Sequence, residues 1–268
     1  MTSFTSTLTG FAAYIQSLMP TLGKGLVITL KLFVWTLVLS LPLGLIVSLI
    51  REGVSVKPTD RGITKIIKAP VRYIINLYLL VFRGTPLMLQ LFFFYFGLPF
   101  IHLPAALAPT LEFLHISIRD SVAVQGAICI VPDAFTAATV AFTFNYAAYF
   151  AEIFRGGIIG VNKGQYEASK ALGLSGIQTM SYIVVPQMIR TVIPPIANET
   201  IVLVKDTALA YSISLVDLMT AAKQNMNKTM RVDALIIAAL VYLVITLILT
   251  LIFNMLEKRL SISVEGTR

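Results

Sequence analysis

Glu199 and Asp206 stand seven residues apart, in the triplets Asn198–Glu199–Thr200 and Lys205–Asp206–Thr207, with the apolar run Ile201–Val204 between them. On a helix that interval is almost two turns, so both carboxylates project from one face, ~10 Å apart. An ionisable side chain at membrane depth costs on the order of 3 kcal/mol to insert, which makes such a residue a functional candidate. Two carboxylates in an apolar wall suit the ammonium group of a small cationic or zwitterionic solute. Lys205 could hold a substrate carboxylate or neutralise Asp206, and Asn198 adds an amide beside Glu199. The structural reading is that Lys205 and Asp206 mark a helix end while Glu199 bonds a neighbouring helix. Asn145 and Glu152 repeat the interval more weakly, with Tyr149 near the same face. Glu152 lies beside Arg155 and fits equally well as a paired structural carboxylate.

A second candidate is the polar interruption VNKGQYEASKALGLSGIQTMSYIVVP, Val161 to Pro186. Asn162 followed by Gln165, and Ser175 followed by Gln178, are near matches to the capping box that opens a helix. The first helix gains a Glu167–Lys170 pair and meets Gly173, which suits the left-handed residue closing a helix. At ~15 Å it reaches half a bilayer, so it docks rather than spans. The second short helix is expected to run from about Gly176 until Pro186 removes a donor and biases Val185 away from helical geometry. The plain alternative is a well-capped loop joining two spans, although a few residues would suffice for that.

The elements that position these residues follow from composition. The chain has 268 residues, 57% of them hydrophobic and 13% charged, and its mean hydropathy is +0.84. Soluble domains carry roughly 25% charged residues, so this is an integral membrane protein. The charge-free runs 32–50, 84–111, 134–151 and 234–256 approach or exceed the ~18 residues of a spanning helix. One cysteine, Cys129, and two histidines, His102 and His115, leave no disulfide framework and no multi-thiolate metal site. The first basic residue is Lys24, so no secretory leader is expected, and Phe4, Leu8, Phe11, Ile15 and Leu18 suggest an amphipathic surface helix.

Charge sets the orientation. Thirteen of the 21 Lys and Arg fall in residues 51–83, in 155–170 and in the tail, against Lys24, Arg119, Lys223, Lys228 and Arg231 in the opposite segments. The basic side is cytoplasmic. Parity then gives five spans: Lys24–Ile50; an interfacial helix over 66–82 with a turn at Arg83–Pro86 and a span outward, or in its place one tilted, kinked helix over 66–101; Ala134–Gly157; Met188–Ser212; and Ala234–Leu256. The N-terminus lies outside and the C-terminus inside. Residues 102–133 form an outer segment, and 221–231 an outer loop. The fold class is all-α, with residues 1–21 an outer or interfacial segment, 22–260 the membrane domain and 261–268 a cytoplasmic tail.

The stretch YEASKALG, nine residues and then IVVP resembles the cytoplasmic signature of permease subunits of ATP-binding-cassette importers. The match falls on Glu167, Ala168, Ser169, Gly173, Ile183 and Pro186, with Ser169 where a second Ala is usual and Val185 where Leu is usual. VFRGTPLMLQLFF, NYAAYFAEIFRGGI, KGQYEASKALGLS, VPQMIR and LVKDTALA are similar to the polar amino acid permeases of that superfamily. The resemblance implies the five-helix type I importer fold. It also implies a coupling helix that includes Tyr166, Glu167, Ala168, Ser169 and Gly173, seated in a cytoplasmic ATPase dimer. The other implied partners are a second permease subunit and an extracytoplasmic substrate-binding protein, in a bacterial cell membrane. ATP and Mg belong to the ATPase, because nothing here resembles G-x-x-x-x-G-K-[ST]; the chain itself has no cofactor and is no enzyme. One rival is a secondary transporter or channel using Glu199 and Asp206 as a cation relay. Another is a nucleic-acid-binding hairpin, which Lys163 and Lys170 alone do not support.

Overall fold

The computed structural model describes residues 2–54, 62–109, 118–120, 125 and 127–265, with most of their side chains from residue 14 to residue 259. Lys57 and Arg61 of the basic loop, His115 and Arg268 lie outside that set, as do the side chains of Phe4, Leu8 and Phe11. The helices are α1 Thr2–Gly53, α2 Gly62–Gly84, α3 Leu87–Phe92, α4 Ala134–Gly160, α5 Lys163–Ala171, α6 Gly176–Thr179, α7 Val185–Asp206, α8 Leu218–Thr229 and α9 Asp233–Glu265.

Among the described residues, Tyr14–Gly53 and Asp233–Arg259 are long and apolar enough to cross a membrane, and Lys68–Gly84 with Leu87–Phe100 qualifies as a broken pair. The break falls at Thr85–Pro86, inside the turn expected at Arg83–Pro86. Ile236, Leu240, Leu243, Leu247, Leu251 and Met255 of α9 are each more than half exposed. A helix that is apolar all round has lipid as its solvent.

The chain forms two compact units, and α1, α4, α7 and α9 each contribute to both. The first comprises Met1–Trp35, Met88–Ala141 and Leu203–Thr246. Its core gathers Leu18 and Leu22 of α1, Leu218, Ala221 and Ala222 of α8, and Ala234 and Ala238 of α9. The lack of a side chain at Gly25 lets α8 begin against α1, since a Cβ there would lie 2.7 Å from the Asp217 carbonyl oxygen. Asp217 caps α8 by accepting from Thr220 N–H at 2.8 Å, and Leu218 N–H donates to Thr29 Oγ1 at 3.0 Å. Tyr14 O–H donates to Asn225 at 2.8 Å, and Arg231 lies 4.7 Å over the Tyr14 ring. The same unit holds a three-stranded antiparallel sheet: β1 His102–Pro104, β2 Ile118–Asp120 and β3 Ala127–Ile130, with β3 central and His102 opposite the buried Cys129.

The second unit comprises Thr36–Leu87, Phe142–Val202 and Leu247–Arg268. Leu79 of α2 packs on Ala148 and Ala151 of α4, with Val47, Ile75, Tyr78 and Phe82 around them. Tyr78 O–H donates to the Phe144 carbonyl at 2.6 Å, and the Asn145 amide donates to the Phe82 carbonyl at 2.8 Å. Rings of Phe82 and Phe144 stack at 5.6 Å.

Two boundaries differ from the sequence expectation, while helix α1 runs unbroken from Thr2 to Gly53. The loop expected over 221–231 is mostly helix α8, because Asp217 caps it and Met230 closes it in the left-handed region at φ 56°. Val185 is helical at φ −60° and ψ −45°, and Pro186 opens α7 instead of ending its predecessor. A π-turn over Met180–Val184 precedes it, with Val185 N–H bonded to the Met180 carbonyl. That widened register keeps the proline ring off the carbonyl it would otherwise strike.

Candidate functional site

Helices α5 and α6 form the hairpin expected from the polar stretch. Asn162 caps α5 by accepting from Gly164 N–H at 2.8 Å, one residue short of the capping-box partner, and Gln165 instead accepts from the Gln187 amide at 3.4 Å. The end of α5 is a Schellman turn. Leu174 N–H donates to the Ser169 carbonyl and Gly173 N–H to the Lys170 carbonyl, both at 3.0 Å, with Gly173 at φ +72°. Glycine meets no steric penalty there. A Cβ on Gly173 would touch nothing within 4 Å, so its role in the isolated chain is conformational rather than close approach. Ser175 and Gln178 complete a capping box at the start of α6, with bonds of 3.3 and 2.8 Å.

The coupling residues fall on different faces of the hairpin. Glu167 and Ala168 are exposed, Tyr166 is half-buried and Ser169 is fully buried. Tyr166 O–H donates to the Ile158 carbonyl of α4 at 3.2 Å. Burial, followed by the charge of Glu52, raises the phenol above its usual range. Leu172 and Ile177, 76% and 81% exposed, add apolar surface beside Glu167 that the signature did not single out.

Glu152 lies at the centre of an arginine cluster. Its Oε1 meets Arg51 Nη1 of α1 at 2.6 Å and Arg83 Nη1 of α2 at 3.1 Å, while Oε2 meets Arg155 Nε at 2.8 Å. The Arg83 guanidinium also lies 5.6 Å from the Tyr149 ring centroid. Glu152 thus forms ion pairs with three arginines of the second unit. Asn145 likewise spends its amide on a backbone carbonyl. Arg51 was not visible in sequence as a partner, being 101 residues away. A signal for the face it ends was present: Thr29, Thr36, Ser40 and Ser48 recur at helical spacing and are all fully buried. Small residues so spaced let neighbouring backbones approach.

On α7, Glu199 and Asp206 are half-buried, whereas Asn198 and Lys205 are exposed. The helix is continuous to Asp206, so the seven-residue interval keeps both carboxylates on one face. Lys205 borders a largely apolar cavity of about 690 Å³ that Ala208, Leu235, Ala238, Tyr242 and Thr246 help line. Lys205 makes no hydrogen bond or ion pair among the described residues. The cavity wall is thus mainly apolar, with Lys205 at its edge.

The family described as binding-protein-dependent transport system inner membrane component matches residues 64–262. The arginine transport system permease protein ArtQ of Bacillus subtilis (strain 168) is 36% identical over 251 residues, 93% of this chain and 96% of that one. A probable amino-acid ABC transporter permease protein, PatM of Vibrio harveyi, is 32% identical over 231 residues, 85% of this chain and 86% of that one. A crystal structure of an amino acid ABC transporter with histidines matches with a TM-score of 0.71 at 29% identity, covering 93% of this chain and 98% of that one.

Proposed function

Because this chain belongs to the family of binding-protein-dependent transport system inner membrane components, we propose that it is the permease subunit of an ATP-driven importer for a polar amino acid. The observation that carries the reading is the hairpin: two short capped helices whose exposed tip presents Glu167, Ala168, Leu172 and Ile177. Large apolar side chains left in water are suited to burial by a partner, here a cytoplasmic ATPase dimer that binds ATP and Mg. The proposed topology has five spans, with the N-terminus outside and the C-terminus inside. A second permease subunit completes the passage, and an extracytoplasmic binding protein delivers the substrate.

The hairpin is tied to the spans within its own unit. Tyr166 joins α5 to α4, and Gln187 joins α7 to α5. Glu152 of α4 then gathers the ends of α1 and α2 through Arg51 and Arg83. A push on the hairpin therefore moves several helix ends as one body, which is how rigid-body switching transmits a small displacement. Glu152 and Asn145 serve as struts in this mechanism. Substrate contact is assigned to Glu199 and Asp206 for an ammonium group, Lys205 for a carboxylate, and Asn198 as an added amide.

The test is uptake into proteoliposomes holding this chain with its ATPase and binding protein. Uptake of one or more polar amino acids should require ATP on the hairpin side, and Glu167→Arg should abolish both ATPase recruitment and uptake. Uptake that proceeds without ATP, driven by an ion gradient, overturns the proposal.

A further inference from the structure

Ser169 is where the chain departs from the usual second alanine of its signature, and it is fully buried. Its hydroxyl donates to the Tyr166 carbonyl of the same helix at 2.8 Å. The same oxygen accepts from Thr179 Oγ1 of α6 at 3.1 Å, and Thr179 is only 7% exposed. Thr179 N–H is taken by the Ser175 carbonyl at 2.8 Å, so the threonine backbone is fixed as well. Both hydroxyls thus have partners in a site that water barely reaches.

We propose that the Ser169–Thr179 hydroxyl bridge is a positioning device that sets the angle between α5 and α6, so that a load on α5 is transmitted through α6 to α7 instead of being lost by swivelling at Gly173. The proposal rests on the coupling reading above. The geometry explains why a bridge is needed. Helix α5 has nine residues and α6 four, too short to hold a mutual angle by propensity. The turn between them is a Schellman cap, which fixes how α5 ends and leaves the direction of α6 to its contacts. Apolar contact is non-directional, whereas two hydroxyls in series accept only a narrow range of distance and angle. A buried, fully satisfied polar chain specifies one arrangement, because every alternative leaves a hydroxyl without a partner. An alanine at position 169 would orphan Thr179 Oγ1, so the two residues form one functional pair.

Thr179→Val removes the hydroxyl and keeps the shape, and Thr179→Ser keeps the hydroxyl and removes the methyl. The readout is amino acid transported per ATP hydrolysed, in proteoliposomes of the complete complex. Loss of one net hydrogen bond should lower the seated population, and hence that ratio, roughly 5-fold for Thr179→Val and for Ser169→Ala. ATPase binding should be retained, the double variant should be no worse than the worse single, and Thr179→Ser should stay near wild type. In parallel, amide exchange across residues 169–175 should quicken in Thr179→Val alone of the two threonine variants. A wild-type ratio in Thr179→Val, additive losses in the double variant, or an equal loss in Thr179→Ser overturns the bridge. If the valine variant fails to assemble, unchanged exchange across 169–175 overturns it independently. Absence of ATP-coupled uptake in the wild-type complex would instead remove the coupling reading, and the bridge's role with it.

Discussion

Replacing Glu152 by Gln keeps the size of the side chain and removes the charge that three guanidinium groups share. The carboxylate makes contacts of 2.6, 3.1 and 2.8 Å to Arg51, Arg83 and Arg155. Fully exposed pairs contribute about 0.2–1 kcal/mol each, whereas breaking a buried pair costs roughly 3–5 kcal/mol. The side chains here lie between those limits, 19% exposed for Glu152 and 24–41% for the arginines. About 1 kcal/mol for each contact is therefore the reasonable scale. Glutamine keeps a neutral acceptor, so the net loss is roughly 2–3 kcal/mol, with the exposed arginines relieving their mutual repulsion by turning to water. For a chain of 268 residues that corresponds to an apparent melting shift of roughly 4–5 °C. The measurement is thermal unfolding of the purified chain in detergent, with Arg51→Gln and the double variant completing a cycle. The double variant should melt no lower than Glu152→Gln by more than a degree or two. An unchanged melting temperature with a raised KM for uptake would refute the reasoning, because that pattern belongs to a substrate contact.

Gly25→Ala should lower stability by roughly 1–3 kcal/mol, since its Cβ would press on the backbone of Asp217 at 2.7 Å and no rotamer can relieve it. Gly23→Ala, with nothing within 4 Å, is the control in the same helix and should melt slightly higher. Asp133 caps α4 by accepting from the N–H groups of Phe135 and Thr136 at 2.9 and 3.1 Å. Slight burial raises its pKa, but these bonds and that from the Thr136 hydroxyl outweigh it and hold the carboxyl below its ordinary value. The folded pKa is depressed, so the stabilisation is present above the ordinary carboxylate value and lost as pH falls through the lower folded one. Asp133→Ala should cost about 1 kcal/mol at neutral pH, with the difference from wild type vanishing in acid, as read from melting curves across pH. A constant difference at all pH values would refute the charge assignment.

What the sequence made legible was whatever depends on local spacing. The hairpin's two starts, its glycine stop and the turn before Leu87 are each written in neighbouring residues, because caps and proline act within one helical turn. Pro186 misled for a related reason: a proline forbids a bond to one particular carbonyl, and a π-turn beginning six residues earlier at Met180 removes the conflict without ending the helix. Residues 221–231 read as a loop because Lys, Gln and Asn crowd them, while helix α8 is held by Asp217, Thr29 and the bare backbone at Gly25. The Asp217 cap is local, but the Thr29 contact spans 189 residues and no window of sequence contains it.

The same limit separates the two classes of candidate site residue. Glu199, Asp206, Asn145 and Glu152 look alike in sequence, each a polar group in an apolar run at a seven-residue interval. They differ in what reaches them from elsewhere in the chain. Glu152 attracts Arg51 and Arg83 from the ends of two other helices, and Asn145 meets a carbonyl of α2 that Pro86, four residues on, leaves at a helix end. Both are consumed in holding helices together within the second unit. Lys205 instead is exposed at the edge of a cavity and has no partner among the described residues. The paired residues lie on α4 and the unpaired one on α7, so a seven-residue interval alone does not tell a neutralised charge from an open one.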